Sequence, residues 1–149
     1  MSTLSAAKAV LDADGTLLAT ATGGIWDYDE TGRLGISRTT TPAAFDSNER
    51  IKPCVLLKLR NRRADGELRD DAGQYSSVSE ILEVWCYEDT GYSNIETMRD
   101  RVYALLHAQQ LTGTFQALWV QDITQQRDIE IDASVERSDY QVFSSRSVS

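Results

Sequence analysis

The chain is poor in the residues on which most metal, redox and acid–base chemistry depends. It has one histidine, His107, and two cysteines, Cys54 and Cys86, in 149 positions. Zinc sites draw on about four nitrogen, sulfur or oxygen ligands, and these three scattered residues do not readily supply them. The cysteines do not form a CxxC pair. Each lies in an apolar, strand-like stretch and reads as a reduced core thiol of a protein made in a cytoplasm. Basic residues are scarce too: 15 Lys and Arg stand against 23 Asp and Glu, for a net charge of −8. Phosphate affinity comes from clustered positive charge, so a general binder of DNA or of an anionic membrane surface is not expected. No apolar run reaches the roughly 18 residues of a membrane span, and the first residues lack the pattern of a signal peptide.

What is present is ordinary globular material. Hydrophobic residues make up 41% and charged residues 26%, and a chain of this length buries roughly 68–70% of its unfolded surface without staples. A single domain over residues 1–149 is expected. Leu4, Ala7, Val10 and Leu11 recur at helical spacing. Gly15 interrupts that helix, Asp14 is placed to cap a second short one, and Gly23-Gly24 ends it. Residues 28–50, with Gly32, Gly35, Pro42 and a run of threonines, have little periodicity and are expected to form a long loop.

From Ile51 the period becomes two. Val55, Leu57 and Leu59 share one face of a strand, while Lys52, Lys58 and Arg60 take the other. The charged stretch 61–74, which contains Arg62 and Arg63, is expected as a second long loop. A strand over Tyr75–Glu88 follows, with Val78, Leu82, Val84 and Cys86 on one face and Ile81, Trp85 and Tyr87 on the other. Ser93 and Glu96 form a Ser-x-x-Glu capping box ahead of Ile95, Met98, Val102, Leu105 and Leu106, which predicts a helix over about 94–110. Phe115–Val120 alternates as a strand. A last strand carries Ile129, Ile131, Ala133 and Val135 against Asp128, Glu130, Asp132 and Glu136, with a phase change near Ser138 that predicts a bulge. Residues 146–149 are expected as a frayed tail. The order helix, helix, strand, strand, helix, strand, strand gives an α+β fold: a two-layer sandwich, an antiparallel sheet with helices on one face.

Two stretches invite a chemical reading. Asp12-Ala13-Asp14-Gly15-Thr16-Leu17 resembles the first motif of haloacid-dehalogenase-like phosphohydrolases, where the first Asp attacks phosphorus and the second is acid/base beside Mg²⁺. Thr39, Lys58 and Asp70-Asp71 stand in the order that family needs for its later motifs. Yet Ser5–Ala9 favours helix rather than the buried strand that should precede the motif. Too few residues separate Lys58 from Asp70 for a crossover as well. The competing reading, which this context favours, is that Asp12 ends one helix and Asp14 caps the next. The second stretch is the acidic series Asp128 to Glu136: carboxylates two apart on a strand are about 6.6 Å from each other, wide for one cation, so a solvated or partner-facing face is expected. His107 has no carboxylate or thiol partner evident in the sequence and is expected as a surface or half-buried residue.

The order of elements resembles the tail terminator (tail-completion, minor tail) proteins of long-tailed bacteriophages. The likeness is carried by Gly23–Asp29 after the first helices, by Pro42–Asp46 running through Ile51–Leu56 into the first strand, and by the alternating strand Ser76–Tyr87 leading to the helix at Ser93. It covers roughly residues 4–145, as architecture more than as fixed motif. The resemblance implies a structural protein of the virion without catalytic residues or cofactor. It implies a ring, usually of six copies, that caps the tail tube and offers a surface to the neck or head-completion protein, while DNA passes through without specific binding. Within such a ring the basic Lys52, Lys58 and Arg60 and the acidic Asp128, Glu130, Asp132 and Glu136 are the candidate subunit-interface residues. Another neck or head–tail connector ring, and a small adaptor domain unrelated to viruses, are the remaining non-enzymatic readings.

Overall fold

The computed structural model describes residues 2–64, 75–112, 114 and 116–147. Helix α1 (Thr3–Asp12) is capped by Ser2, whose hydroxyl accepts from the Ser5 amide, and it buries Leu4, Ala6, Ala7 and Leu11. Helix α2 (Gly15–Thr20) follows, and strand β1 (Ile25–Asp27) comes after the two glycines. Gly23 is there because nothing larger fits: a Cβ at this position would stand 2.9 Å from Cys54 Cβ and 3.0 Å from the carbonyl oxygens of Lys52 and Pro53. The connection from Tyr28 to Pro53 holds one 3₁₀ turn, Pro42–Ala44, and the single bridge Phe45 to Ile51.

Strands β2 (Cys54–Ala64), β3 (Tyr75–Glu88), β5 (Gln116–Asp128) and β6 (Ala133–Ser147), with helix α3 (Ser93–Leu106) and the two-residue strand β4 (Gln109–Gln110), complete the chain. The sheet order is β1-β2-β3-β6-β5-β4. The α+β class holds, but the sheet is mixed rather than antiparallel throughout, because β1 runs parallel to β2. The two extra strands were too short to leave a periodic signal. Strand pairing also reaches into segments expected as loop or tail. Asn61–Ala64 belong to β2, with Arg63 opposite Ser79 and Ala64 opposite Val78, and Ser147 pairs with Tyr75. Residues 65–74 and 148–149 lie outside the described residues.

The three helices bury their apolar stripes on one face of the sheet, against Val55, Leu57, Leu82, Val84, Cys86, Tyr140 and Val142. A smaller core lies on the opposite face. There Ile36, Ala44, Phe45 and Ile51 of the long connection pack on Cys54, Leu56, Tyr87, Ala133 and Val135. This second core explains the phase change in the last strand without the bulge expected there. β6 runs in unbroken register with β3 from Ser134 to Ser147. Its first residues are covered by the connection and its middle by the helices, so the buried side of one regular strand switches. The irregularities are in β5, between Trp119 and Gln121 and between Ile123 and Gln126.

Helix α3 starts at Ser93 and ends at Leu106, four residues before the expected end. Its capping also differs from the expected box, since no side-chain bond from Ser93 closes the first turn. Glu88, at the end of β3, reaches over instead and accepts from the amides of Asn94 (3.1 Å) and Ile95 (3.2 Å) and from Asn94 Nδ2 (2.8 Å). A carboxylate at a helix start serves as well from a neighbouring strand as from the helix itself.

Candidate functional site

The DxDGTL stretch is a helix junction. Asp12 is the last residue of α1 and pairs with Lys8 at 2.7 Å. Asp14 caps α2 by accepting from the Leu17 amide at 2.8 Å, and Arg101 of α3 grips its carboxylate with two bonds of 2.7 and 2.8 Å. The bidentate guanidinium holds the Asp14 carboxyl at about 2, well below the usual carboxylate range. A carboxylate so engaged ties α2 to α3. Thr39 sits in the long connection, Lys58 lies on β2, and Asp70 and Asp71 fall outside the described residues. Among the described residues, no group of three or more His, Cys, Asp or Glu is disposed around a point where a metal ion could sit. Cys54 and Cys86 are fully buried thiols, and burial pushes Cys86 up to about 12, far from the reactive thiolate range.

Charge is concentrated instead on the two faces of the central strands. On the helix side, Arg99 of α3 reaches Glu136 Oε1 at 2.6 Å and Asp122 Oδ2 at 3.6 Å. Asp122 Oδ1 accepts from Ser138 Oγ (2.7 Å) and Trp119 Nε1 (2.9 Å), and the second oxygen of Glu136 accepts from the Gln125 amide at the β5 irregularity (2.8 Å). On the other side, Arg60 pairs with Glu83 and lies 3.1 Å from Asp139, which also takes Gln121 Nε2 at 2.8 Å. Arg137 Nε stands 2.9 Å from the same Asp139, and Trp85 Nε1 donates to Glu83 at 3.0 Å. Lys58 Nζ sits between two aromatic rings, 4.4 Å from the Trp85 centroid and 4.9 Å from that of Tyr28.

These contacts sort the interface candidates. Arg60 and Glu136 are committed within the chain: Arg60 to Glu83 and Asp139, Glu136 buried beneath Arg99. Lys52 is half-buried just ahead of β2. The acidic series is not one strand face, because β5 ends at Asp128 and Ile129–Asp132 form the turn into β6. Asp128 Oδ1 accepts from the Glu130 amide at 3.1 Å, and Asp132 turns the chain at φ 51 with its carboxylate 2.6 Å from Arg127. Both features belong to turn chemistry, which the apparent alternation concealed. Asp128, Glu130 and Asp132 therefore cluster at one end of the sheet, where Ile129 is 87% exposed.

Sequence reasoning missed three things here. Arg99, Asp122, Glu83, Arg137 and Asp139 were not singled out, although acidic and basic residues inside otherwise apolar strands were the available signal. β5 was cut at Val120, because Gln121–Arg127 lacks apolar alternation; the strand continues as an exposed edge. The alternation over Phe115–Val120 gives no sign that the consecutive apolar residues Leu118, Trp119 and Val120 are 38, 41 and 47% exposed, next to Tyr103 on α3. His107 stacks on Tyr103 with centroids 4.7 Å apart, and its Nδ1 accepts from the Trp119 amide at 3.1 Å, so the histidine is a brace for the start of β5.

No protein-family model and no curated protein sequence matches this chain. Its fold does recur among solved structures. A chain of a structure titled "Virion of native gene transfer agent (GTA) particle" superposes with a TM-score of 0.64 over 95% of this chain and 92% of that chain, at 13% sequence identity.

Proposed function

We propose that this protein is a structural component of a phage-like virion, and within that class a tail terminator: a ring of copies that caps the tail tube and presents a joining surface to the neck. The observation that carries the reading is the superposition on a virion chain across nearly the whole of both chains. The chemistry is in keeping with it. The ionisable groups at the centre of the fold pair with each other in the Arg99–Glu136 and Arg60–Glu83–Asp139 networks. A net charge of −8 suits a ring through which DNA passes without being held. Lys52 and Lys58 on one flank, and Asp128, Glu130 and Asp132 at the far end of β5, are the charges that neighbouring copies present to each other.

Negative-stain microscopy of the purified protein, alone and mixed with isolated tail tubes, tests this. Closed rings seated on one end of each tube are the expected result. Rings that ignore tube ends but bind a portal or connector would move the protein to another neck position. A protein that stays monomeric in both samples would overturn the reading.

A further inference from the structure

The two outer strands of the main sheet are each covered over only part of their length. β1 pairs with β2 at Val55–Leu57 alone, and β4 pairs with β5 at Gln116–Ala117 alone. Past these covers, and among the described residues, neither outer strand has a further strand beside it: β2 is open from Lys58 to Ala64 and β5 from Val120 to Asp128. The bonds standing in on β5 are exposed ones, Gln126 Nε2 to the Thr124 carbonyl (3.0 Å) and the Tyr92 hydroxyl to the Gln126 carbonyl (2.9 Å). Beside the open part of β2 lies a cleft of about 280 Å³ lined by Ser2, Leu4, Tyr28, Asp29, Arg33 and Leu59. Long open edges in a soluble protein are a hazard unless something pairs with them.

The two open stretches are matched in three ways. Lys58, Glu83, Asp139 and Gln121 form one row across the sheet, and the free edges leave that row in opposite directions, β2 toward Ala64 and β5 toward Asp128. Each edge is thus a notch, with its covered half at the opposite end from the other's. Direction matches as well. β5 is antiparallel to β6, β6 to β3 and β3 to β2, so β5 and β2 of one chain point opposite ways. Rotation about a ring axis preserves those directions, so β5 meets the next copy's β2 as an antiparallel pair. Charge is the third match. Leaving aside Arg60 and Asp122, which are paired within the chain, Lys58–Ala64 carries Lys58, Arg62 and Arg63 with no acid, while Gln121–Asp132 carries Asp128, Glu130 and Asp132 with one arginine.

We propose that the occupant of the β5 edge is β2 of a second copy of this chain, paired antiparallel, so that the sheets of successive copies join into one continuous sheet. The inference rests on the ring reading above and names the strands that would hold the ring together. Bringing the two free stretches level needs an axial offset of roughly five to six residues, ~18 Å, across a four-strand repeat ~19 Å wide. That is a strand tilt near 45°, at the upper end of the roughly 35–45° that closed sheets adopt. The contact is heterologous, since each copy gives one edge and receives on the other, and such contacts propagate beyond a dimer and form a ring where the rotation closes.

Disulfide trapping tests it in the full-length protein. Thr124→Cys is made on β5, and Asn61→Cys and Arg62→Cys are made separately on β2 so that two neighbouring positions of its free stretch are probed; Cys54 and Cys86 stay buried as internal controls. On mild oxidation, a mixture of the β5 and β2 variants should give a reducible dimer at least about tenfold above either variant alone, because assembly raises the local thiol concentration toward the millimolar range. A chain carrying Thr124→Cys and the productive β2 cysteine should give a ladder of covalent multimers ending at the ring size. A homodimer of Thr124→Cys alone would overturn the proposal in favour of a two-fold β5–β5 contact. Rings on the grid with no mixed disulfide from either β2 position would overturn the edge pairing and leave the ring reading standing. No rings and no disulfide would overturn both.

Discussion

At the scale of single residues, Asp14 shows how a motif is emptied of its chemistry by its neighbours. The motif's acid/base aspartate needs a free carboxyl at the mouth of a sheet; this one caps α2 and is clamped by Arg101. The clamp has a pH signature. Because the folded-state value is depressed from 3.8 to about 2, the stability it contributes is present above pH ~4 and is lost as pH falls from about 4 toward 2. Asp14→Asn should therefore be less stable than the parent at neutral pH, and the gap should close on acidification through that window. Urea midpoints of the two proteins at successive pH values measure it, and a gap that stays constant would show that the arginine contact contributes nothing. Asp12→Asn, by contrast, removes only an exposed pair with Lys8. Tyr140 makes a second residue-scale case. Its side chain is wholly buried among the helix-side core, and its hydroxyl has no hydrogen-bond partner among the described residues. An unpaired buried hydroxyl costs free energy, so Tyr140→Phe should leave stability unchanged or raise it by up to ~1 kcal/mol in urea denaturation. A loss larger than that would mean that the hydroxyl is satisfied in solution.

The elements were legible where one physical rule governed them and illegible where two competed. α1 and α2 were plain because the apolar spacing and the Asp14 cap agree, and β3 was plain because period two runs over its length. Helix α3 was readable, but the cap assigned to Ser93 was not, since the carboxylate that serves it comes from Glu88 on another element. Glu88→Ala should cost ~1 kcal/mol, seen as a lower thermal midpoint, whereas Glu96→Ala should cost little; equal losses would restore the expected capping box. β1 and β4 carried no readable pattern, being three and two residues long and defined by what they lie against. Their position is enforced by packing, and Gly23 is the tightest point. Gly23→Ala must push Cys54 or the Lys52–Pro53 backbone aside, so a loss of ~2 kcal/mol or more is expected by chemical denaturation. Gly15→Ala, which meets nothing within 4 Å, is the control. The acidic series at 128–136 misled because a turn and a strand start happened to keep the same alternation. Only the positive φ at Asp132, which a sequence does not display, separates the two.

At the scale of the whole molecule, net charge and its local distribution point in opposite directions, and assembly decides which is felt. The chain carries −8 overall, yet Lys58–Ala64 is a basic edge with no acidic residue in it. Among the described residues that edge has no further strand beside it in a free copy; in the proposed ring joined through β5 it is covered by strands bearing acids. Bound phosphates release counterions, so contact through the basic residues of this edge other than the internally paired Arg60 gives affinity that falls with salt. A ring-deficient form, made by Thr124→Pro on the free part of β5, should therefore be retained by duplex DNA at low ionic strength and released near physiological salt. The assembled parent should not be retained in either condition, because its exposed charge is the net negative one. Fluorescence anisotropy of a labelled duplex titrated with each protein reads the difference. If the parent ring holds DNA as well as the proline variant does, the basic strand is exposed in the assembly, and the copies are joined through some other surface.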